Sequence, residues 1–500
     1  MAAKEVQVIK NTIFMFLRMA FVMFLTLFST RLLLKTLGIE LYGIYDLIFG
    51  IVLLFNAFSA TITTSIQRFY NIYYDDKFAI AQIYSIAVIL FTTIAFLILL
   101  IGSAVSDSIV GLLNIPVNIL DEATDFYILC LFNLALSLIR LPYISYLIAS
   151  EKMGLYSFIS IIDAIIKFIS IMILSNFFID SKILLTYGYF LLITTLIVSI
   201  LYVLVCYINI EMPRFKFKID LNKLREVLGF SSWTIFGSSS ALISQQGLSI
   251  ILNKFFGVLL NSANAISQQI YTAVYQFVNS FQSAFSPYLM KTYAQNDISK
   301  VKRLIVIFSK ISVFLYLLVA LPLFLNMEKI LKIWLVNIPL YAIDFSKLII
   351  IVMFFEVLSA PLWLTIQASG NIRKYQIIIS SILISNIFLA YLLVYLHALP
   401  QIVFYSKILI AIFAFIYRVN FITMLLDFKI RIFIQEVIFP IVTLLFFIFS
   451  IIYVLNKFGW SFNLLVNIFL IILLTIILSY FLLMSKYERS QINKMLKKYI

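Results

Sequence analysis

Long apolar stretches, broken by short polar ones, run from one end of the chain to the other. A helix needs about 20 mostly apolar residues to cross a bilayer, and by that measure the pattern predicts about fourteen spans. They begin near Asn11, Leu41, Ala81, Asp125, Leu155, Ile183, Leu228, Asn261, Leu304, Asp344, Gln376, Val403, Ile434 and Phe462. The first run, from Asn11 to Leu34, is too long for a signal-peptide core and lacks an obvious small-residue cleavage site, so it reads as the first span.

The pattern occurs twice. Lys35-Thr36-Leu37-Gly38 returns as Lys254-Phe255-Phe256-Gly257, and Ala123-Thr124-Asp125-Phe126 returns as Ala342-Ile343-Asp344-Phe345. Pro142, Ala149, Ser150 and Tyr156 return as Pro361, Ala368, Ser369 and Tyr375. One shift of roughly 219 residues superimposes these strings, which marks an internal structural repeat. Asn114-Ile115-Pro116 returns as Asn337-Ile338-Pro339 with a slightly larger shift, as a loop insertion gives. In a membrane protein, two matching halves point to a transporter whose substrate sits between them.

Composition makes lipid the solvent. The 500 residues are 63% hydrophobic and 12% charged, whereas a soluble domain is about half apolar and a quarter charged. The formal net charge is +15, and it is concentrated in one set of loops. These hold Arg68 and Lys77, Lys152, Arg214 to Arg225, Lys291 to Arg303, Arg373 with Lys374, and Lys429 with Arg431, and the termini join them. About 23 basic residues fall on that side against about seven on the other, so both termini are expected in the cytoplasm and the span count is even.

Six spans per copy then make the repeat parallel, about an axis along the membrane normal. The predicted fold is an all-α polytopic membrane protein with a six-helix N-terminal lobe (1–208), a cytoplasmic linker (209–227), a six-helix C-terminal lobe (228–426), and two additional spans with a basic tail (427–500). Lys494, Lys497 and Lys498 in that tail fit either an amphipathic helix on the inner leaflet or a frayed end. The positive charge suits anionic lipid heads, and without a soluble basic module no nucleic-acid partner is expected. Cys130 and Cys206 lie in apolar runs at no metal or disulfide spacing, and read as small buried side chains.

Ionisable residues inside spans are costly and therefore informative. Arg18 lies in the first span, where it either snorkels to the cytoplasmic face or lines a cavity. Arg31 lies nearer an interface, and Arg140 toward the cytoplasmic end of the fourth span. Asp163 and Lys167, four apart in the fifth span, share a helix face and can pair. Glu356, in the tenth span, has no basic neighbour at helical spacing, so it needs a partner from another span or serves a proton or sodium ion. Lys407 and Arg418 lie in the twelfth span, while Lys35, Arg68 and Lys254 read as interfacial anchors.

Uncharged polar residues gather in the second, seventh and eighth spans. Asp46, Asn56, Gln245, Gln246, Gln268, Gln269 and Gln276 are the candidates to line a hydrated cavity between the lobes. No nucleotide-binding GxxxxGK[ST] loop and no His/Cys metal cluster occur, and the one histidine, His397, sits near a predicted helix end. No cofactor, no metal and no enzymatic activity are expected.

Asn11-Thr12, Arg31-Leu32-Leu33-Leu34-Lys35-Thr36-Leu37-Gly38 and Tyr42-Gly43-Ile44-Tyr45 together form an opening similar to that of the polysaccharide or O-antigen flippases. These belong to the multidrug/oligosaccharidyl-lipid/polysaccharide (MOP) exporter superfamily, and the resemblance covers spans one to twelve. It implies a bacterial inner-membrane protein that moves a polyprenyl-diphosphate-linked oligosaccharide by alternating access. Membrane lipids, a glycan polymerase and glycosyltransferases would be its partners. Under that resemblance Arg18 and Arg31 are the first candidates for the diphosphate, with Arg140 and Lys167 in reserve, and Asp163 and Glu356 are candidates for ion coupling. The charged first lobe would take the diphosphate, and the neutral polar second lobe would face sugar.

Two other functions compete. A drug exporter of the same superfamily favours acidic groups in its cavity, which Asp163 and Glu356 supply, but basic groups outnumber them inside the spans. An O-antigen polymerase or ligase needs a sizeable outer loop, and the longest here are only about twenty residues.

Overall fold

The computed structural model describes residues 2–489, apart from 57–58, 74–75, 151, 178–181, 210–211, 217–219, 371, 398, 458–462 and 485–487. The basic tail with Lys494, Lys497 and Lys498 lies outside the described residues. Among those described the chain is helical throughout, with no strand. The first half carries α1 (Ala2–Leu54), α2 (Ser59–Ile72), α3 (Lys77–Ala104), α4 (Ser106–Gly111), α5 (Leu120–Ile139), α6 (Leu141–Ala149), α7 (Met153–Phe177) and α8 (Ile183–Asn209). The second carries α9 (Leu221–Phe256), α10 (Val258–Ala294), α11 (Ile298–Leu325), α12 (Met327–Trp334), α13 (Ala342–Ala368), α14 (Arg373–His397) and α15 (Ile402–Leu426). Then come α16 (Ile430–Phe433), α17 (Phe439–Lys457) and α18 (Leu464–Leu478).

The element boundaries repeat as the sequence strings do. Ala149 and Ala368 end α6 and α13, and Ile183 and Ile402 open α8 and α15, each pair standing as far apart as Gly38 and Gly257. Asp76 caps α3 by accepting from the backbone N–H groups of Phe78 (2.9 Å) and Ala79 (3.0 Å). Asp297 caps α11, the equivalent helix, by accepting from Lys300 N at 3.1 Å. Each carboxylate satisfies donors that a helix start leaves open.

Twelve stretches among the described residues are long and apolar enough to span, against the fourteen or so expected. The difference has two causes. Arg18–Leu54 counts once but holds two helices joined at Gly38, whose φ of 75° and ψ of 174° break the helix. The polar α10, rich in Asn, Gln and Ser, is long enough but is not among the twelve. The second span, expected as one run from near Leu41, is interrupted: helix ends at Leu54 and resumes at Ser59. Arg140, expected within the fourth span, stands at its break, between α5 and α6. Pro142 in the first turn of α6 suits that restart, because its missing N–H is not needed there.

The chain forms two compact units. The first comprises Met1–Ala265, Leu335–Leu340 and Leu383–Val403, and the second Ile266–Trp334, Tyr341–Ile382 and Phe404–Ile500. In the first, α1 packs on α7, α5 and α9, and α5 packs on α3 and α8. The stretch before α9 and the first turn of α9 both dock on α3, with Lys216 N donating to Ser85 Oγ at 2.7 Å and Lys223 Nζ to Gln82 Oε1 at 2.6 Å. In the second unit α11 is central, against α13 and α18. Cys130 and Cys206 are both buried and free.

The glycine breaks set the packing of the first unit. Gly38 and Gly257 both take positive φ, 75° and 79°, which costs glycine nothing and other residues a good deal. Backbone freed at the breaks finds partners nearby: the Ser262 hydroxyl donates to the Ile39 carbonyl, and Gly257 N donates to Asn253 O at 2.8 Å. The wholly buried Asn253 also accepts from Asn114 N at 2.8 Å, tying the Asn114-Ile115-Pro116 loop to the second break. Gly43 allows this closeness, because a Cβ there would strike the Val258 carbonyl and the Ser262 hydroxyl.

Gly43→Ala is therefore expected to destabilise the protein by about 1–3 kcal/mol, as overpacking does, seen as a lower thermal midpoint in detergent. Gly111→Ala, where an added Cβ meets nothing within 4 Å, is the control and should leave the midpoint unchanged. Equal midpoints for the two variants would mean that the Gly43 contact is not tight.

Candidate functional site

In the first unit, two arginines rest on one aromatic shelf. The Arg18 guanidinium, on α1, lies 5.0 Å from the centroid of the Tyr156 ring on α7. The Arg140 guanidinium, at the α5–α6 break, lies 5.9 Å from that of Tyr202 on α8. Tyr156 and Tyr202 pack into the same apolar cluster, around Ile159 and Val198. Ser160 joins them: its hydroxyl donates to the Tyr156 carbonyl at 2.9 Å and lies 3.5 Å from the Tyr202 hydroxyl.

A cation over a ring gains about 0.5–2 kcal/mol, but the ring leaves most guanidinium N–H groups unmet. The Nε of Arg18 and that of Arg140 are both buried, and neither has a hydrogen-bond partner among the described residues. A buried donor left unsatisfied costs about 1–3 kcal/mol, and more when charged. Two oxygens of a phosphate or diphosphate are acceptors of the kind that the planar guanidinium fork matches.

The other predicted anion ligands stand apart from this pair. Lys167 is paired with Asp163 at 3.0 Å, one turn away on α7, so the ion pair accounts for both residues. Arg31 is exposed and has a partner of its own. It lies thirteen residues beyond Arg18 on the same uninterrupted helical stretch, a rise of about 20 Å. One diphosphate cannot bridge that distance, so Arg18 and Arg31 do not form a joint site, and Arg140 is the better companion.

The polar candidates of the first unit divide similarly. Gln246 is buried and its amide lies over Gly50, where any Cβ would collide with it. It serves a helix contact rather than an open cavity. Gln245 is half-buried and has a partner. The Asn56 side chain accepts from the Ser59 hydroxyl at the break before α2. Asp46 is half-buried, two turns beyond Gly38 on α1.

In the second unit, Glu356 finds the partner from another span that its isolation requires. The Tyr271 hydroxyl, on α10, donates to its Oε2 at 2.6 Å. Lys407 of α15 has its ammonium 5.8 Å from the Tyr271 ring centroid. Tyr275 stacks on Tyr271 at 5.7 Å with rings 7° from parallel. Carboxylate, tyrosines and lysine thus form one polar cluster drawn from α10, α13 and α15. Gln268, Gln269 and Gln276 are half-buried on the same helix as Tyr271. Arg418 is separately held, its Nε donating to the Tyr375 hydroxyl at 3.0 Å.

The sequence pattern does not single out Tyr202 or Tyr271, and it marks Tyr156 only as a member of the internal repeat. Tyrosine within an apolar run reads as core, and the pairing partners lie on other helices.

No protein-family model matches the chain, and no curated sequence is similar to it. Solved structures are. An inward-facing multidrug resistance MATE family transporter of the MOP superfamily aligns with a TM-score of 0.67 at 13% identity, covering 82% of this chain and 98% of that one. The lipid II flippase MurJ, in an inward closed conformation, aligns with a TM-score of 0.68 at 14% identity, covering 93% and 97%. A MOP superfamily transporter from Pyrococcus furiosus with a binding pocket of reverse polarity aligns with a TM-score of 0.57 at 13% identity, covering 84% and 96%. The chain has the all-α fold of these MOP superfamily transporters.

Proposed function

We propose that the protein is a MOP-type transporter that moves a polyprenyl-diphosphate-linked oligosaccharide across the bacterial inner membrane by alternating access, without enzymatic chemistry. The observation that carries this reading is the pair of buried, unpartnered guanidinium Nε atoms on the Tyr156–Tyr202 shelf. Cations inside apolar helices offset the cost of taking phosphates out of water. The fold it shares with a lipid II flippase supports a lipid-linked substrate. The lipid tail stays in the bilayer, while half-buried amides such as Gln245, Gln268, Gln269 and Gln276 exchange hydrogen bonds with sugar hydroxyls. An inside-negative potential assists export of an anion by about 2.3 kcal/mol per charge per 100 mV.

Glu356 with Tyr271 and Lys407 is the proposed coupling site, where uptake of a proton or sodium ion accompanies the return step. The same cluster supports the second reading, an ion-coupled drug exporter, since the fold is shared with a multidrug MATE transporter.

In a strain whose surface glycan depends on this protein, Arg18→Ala and Arg140→Ala should each cut export at least about tenfold, a loss of ~1.4 kcal/mol. Arg18→Lys should retain part of it, because it keeps the charge but not the fork. Full export in both alanine variants, or loss of cation-dye efflux with no glycan defect on deletion, would overturn the flippase reading.

Glu356→Gln keeps an acceptor for the Tyr271 hydroxyl but removes the charge. It should slow transport and abolish its dependence on a proton or sodium gradient. A wild-type rate with unchanged gradient dependence would make Glu356 a structural residue.

A further inference from the structure

The second unit holds a cavity of about 690 Å³ that the transport reading does not use. Its size lies within the range of small-molecule sites, roughly 300–1,000 Å³. Lys302 and Arg303, near the start of α11, form one wall, and Asp427 and Lys429, in the loop after α15, form another. Glu436 projects from the π-helical turn Ile434–Ile438 that leads into α17, and Glu488 completes the lining. Such turns are uncommon and recur at functional sites.

Several of these groups are already committed, and Arg303 has a partner of its own. Glu488 pairs with the buried Lys310 at 3.4 Å. Lys302 Nζ donates to the Asp427 carbonyl at 2.9 Å, which holds the loop where Asp427 takes a positive φ of 49°. An ammonium has three donors, so Lys302 keeps two for a ligand. Lys429 and Glu436, which also line the cavity, are both exposed. The cavity thus presents cations beside carboxylates, with Val306 and Phe428 as a buried apolar floor.

The surroundings are apolar. Met424, on the last turn of α15, is 75% exposed, and Phe439, the first residue of α17, is 65% exposed. In a span-forming chain such side chains meet acyl tails. The loop charges assign this end of α11 and α15 to the cytoplasmic face. A ligand that fits carries a phosphate and an ammonium on one short head, with acyl chains attached.

We propose that this cavity binds the headgroup of an aminophospholipid from the inner leaflet. Lys302 and Lys429 take its phosphate and Glu436 takes its ammonium. The lipid thereby bridges α11 to the segment that leads into the last two spans. A purely anionic head lacks a partner for Glu436, and a choline head has no N–H to donate to it. The site lies in the other unit from the arginine shelf, and it stands whichever substrate is transported.

The test is native mass spectrometry of the full chain in detergent, titrated with phosphatidylethanolamine, phosphatidylglycerol, phosphatidylcholine and soluble glycerophosphoethanolamine. Phosphatidylethanolamine should be retained at least fivefold better than either other lipid, and the soluble head should compete only weakly. Lys429→Ala and Glu436→Gln should each erase that preference. Both residues are exposed, so the variants should fold, and an unchanged thermal midpoint without lipid checks this. Equal retention of phosphatidylglycerol would overturn the proposal, as would competition by the soluble head at the lipid's own concentration or an unchanged preference in both variants.

Discussion

In lipid, every backbone group must find its partner within the protein. That constraint explains the features around which the first unit is organised. A continuous helix meets it automatically, and a break does not. This chain breaks its helices at Gly38 and Gly257, and both breaks are met by side chains and close backbone contact: Ser262 on the Ile39 carbonyl, Asn253 on the Asn114 loop, Gly43 beneath Val258. Many of the buried polar residues of α9 and α10 therefore serve packing, and only the remainder is available to a substrate.

Charge inside the helices follows the same logic, with one departure. Asp163 with Lys167, Lys310 with Glu488, and Arg418 with Tyr375 are all matched. Arg18 and Arg140 have rings beneath them but no acceptor for their Nε protons among the described residues. Lys167, Lys310 and Arg418 each have a partner in the protein, whereas these two Nε donors stay open, which is the ground for the proposed anion site. The Glu356–Tyr271–Lys407 cluster, in the second unit, has the opposite character: a carboxylate that already has a donor, with a cation over the donor's ring.

Much of the fold was legible in the sequence because apolar length is a direct consequence of the bilayer. The repeat was legible at Gly38 and Gly257 because a break that only glycine adopts leaves a mark in each copy. The caps at Asp76 and Asp297 carry a local signal too, an acidic residue just ahead of each helix start. What the sequence concealed was height and partnership. Arg31 and Arg18 are close in sequence and alike in chemistry, yet helical rise separates them by about 20 Å. Tyr271 and Glu356 touch across 85 residues, a pairing that no local pattern records. Gln246 reads as cavity-lining by type, and it is Gly50 on another helix that draws it into a packed contact.

The central claim, that the arginine shelf is built for a lipid-linked diphosphate, is tested most directly by ligand binding to the purified protein. Native mass spectrometry or microscale thermophoresis would compare a polyprenyl diphosphate with the corresponding neutral polyprenol, in the presence and absence of a cationic dye. The account predicts that the diphosphate binds at least tenfold more tightly than the alcohol, that Arg18→Ala removes the difference, and that the dye does not compete. Equal binding of diphosphate and alcohol, or displacement of either by the dye, would contradict it.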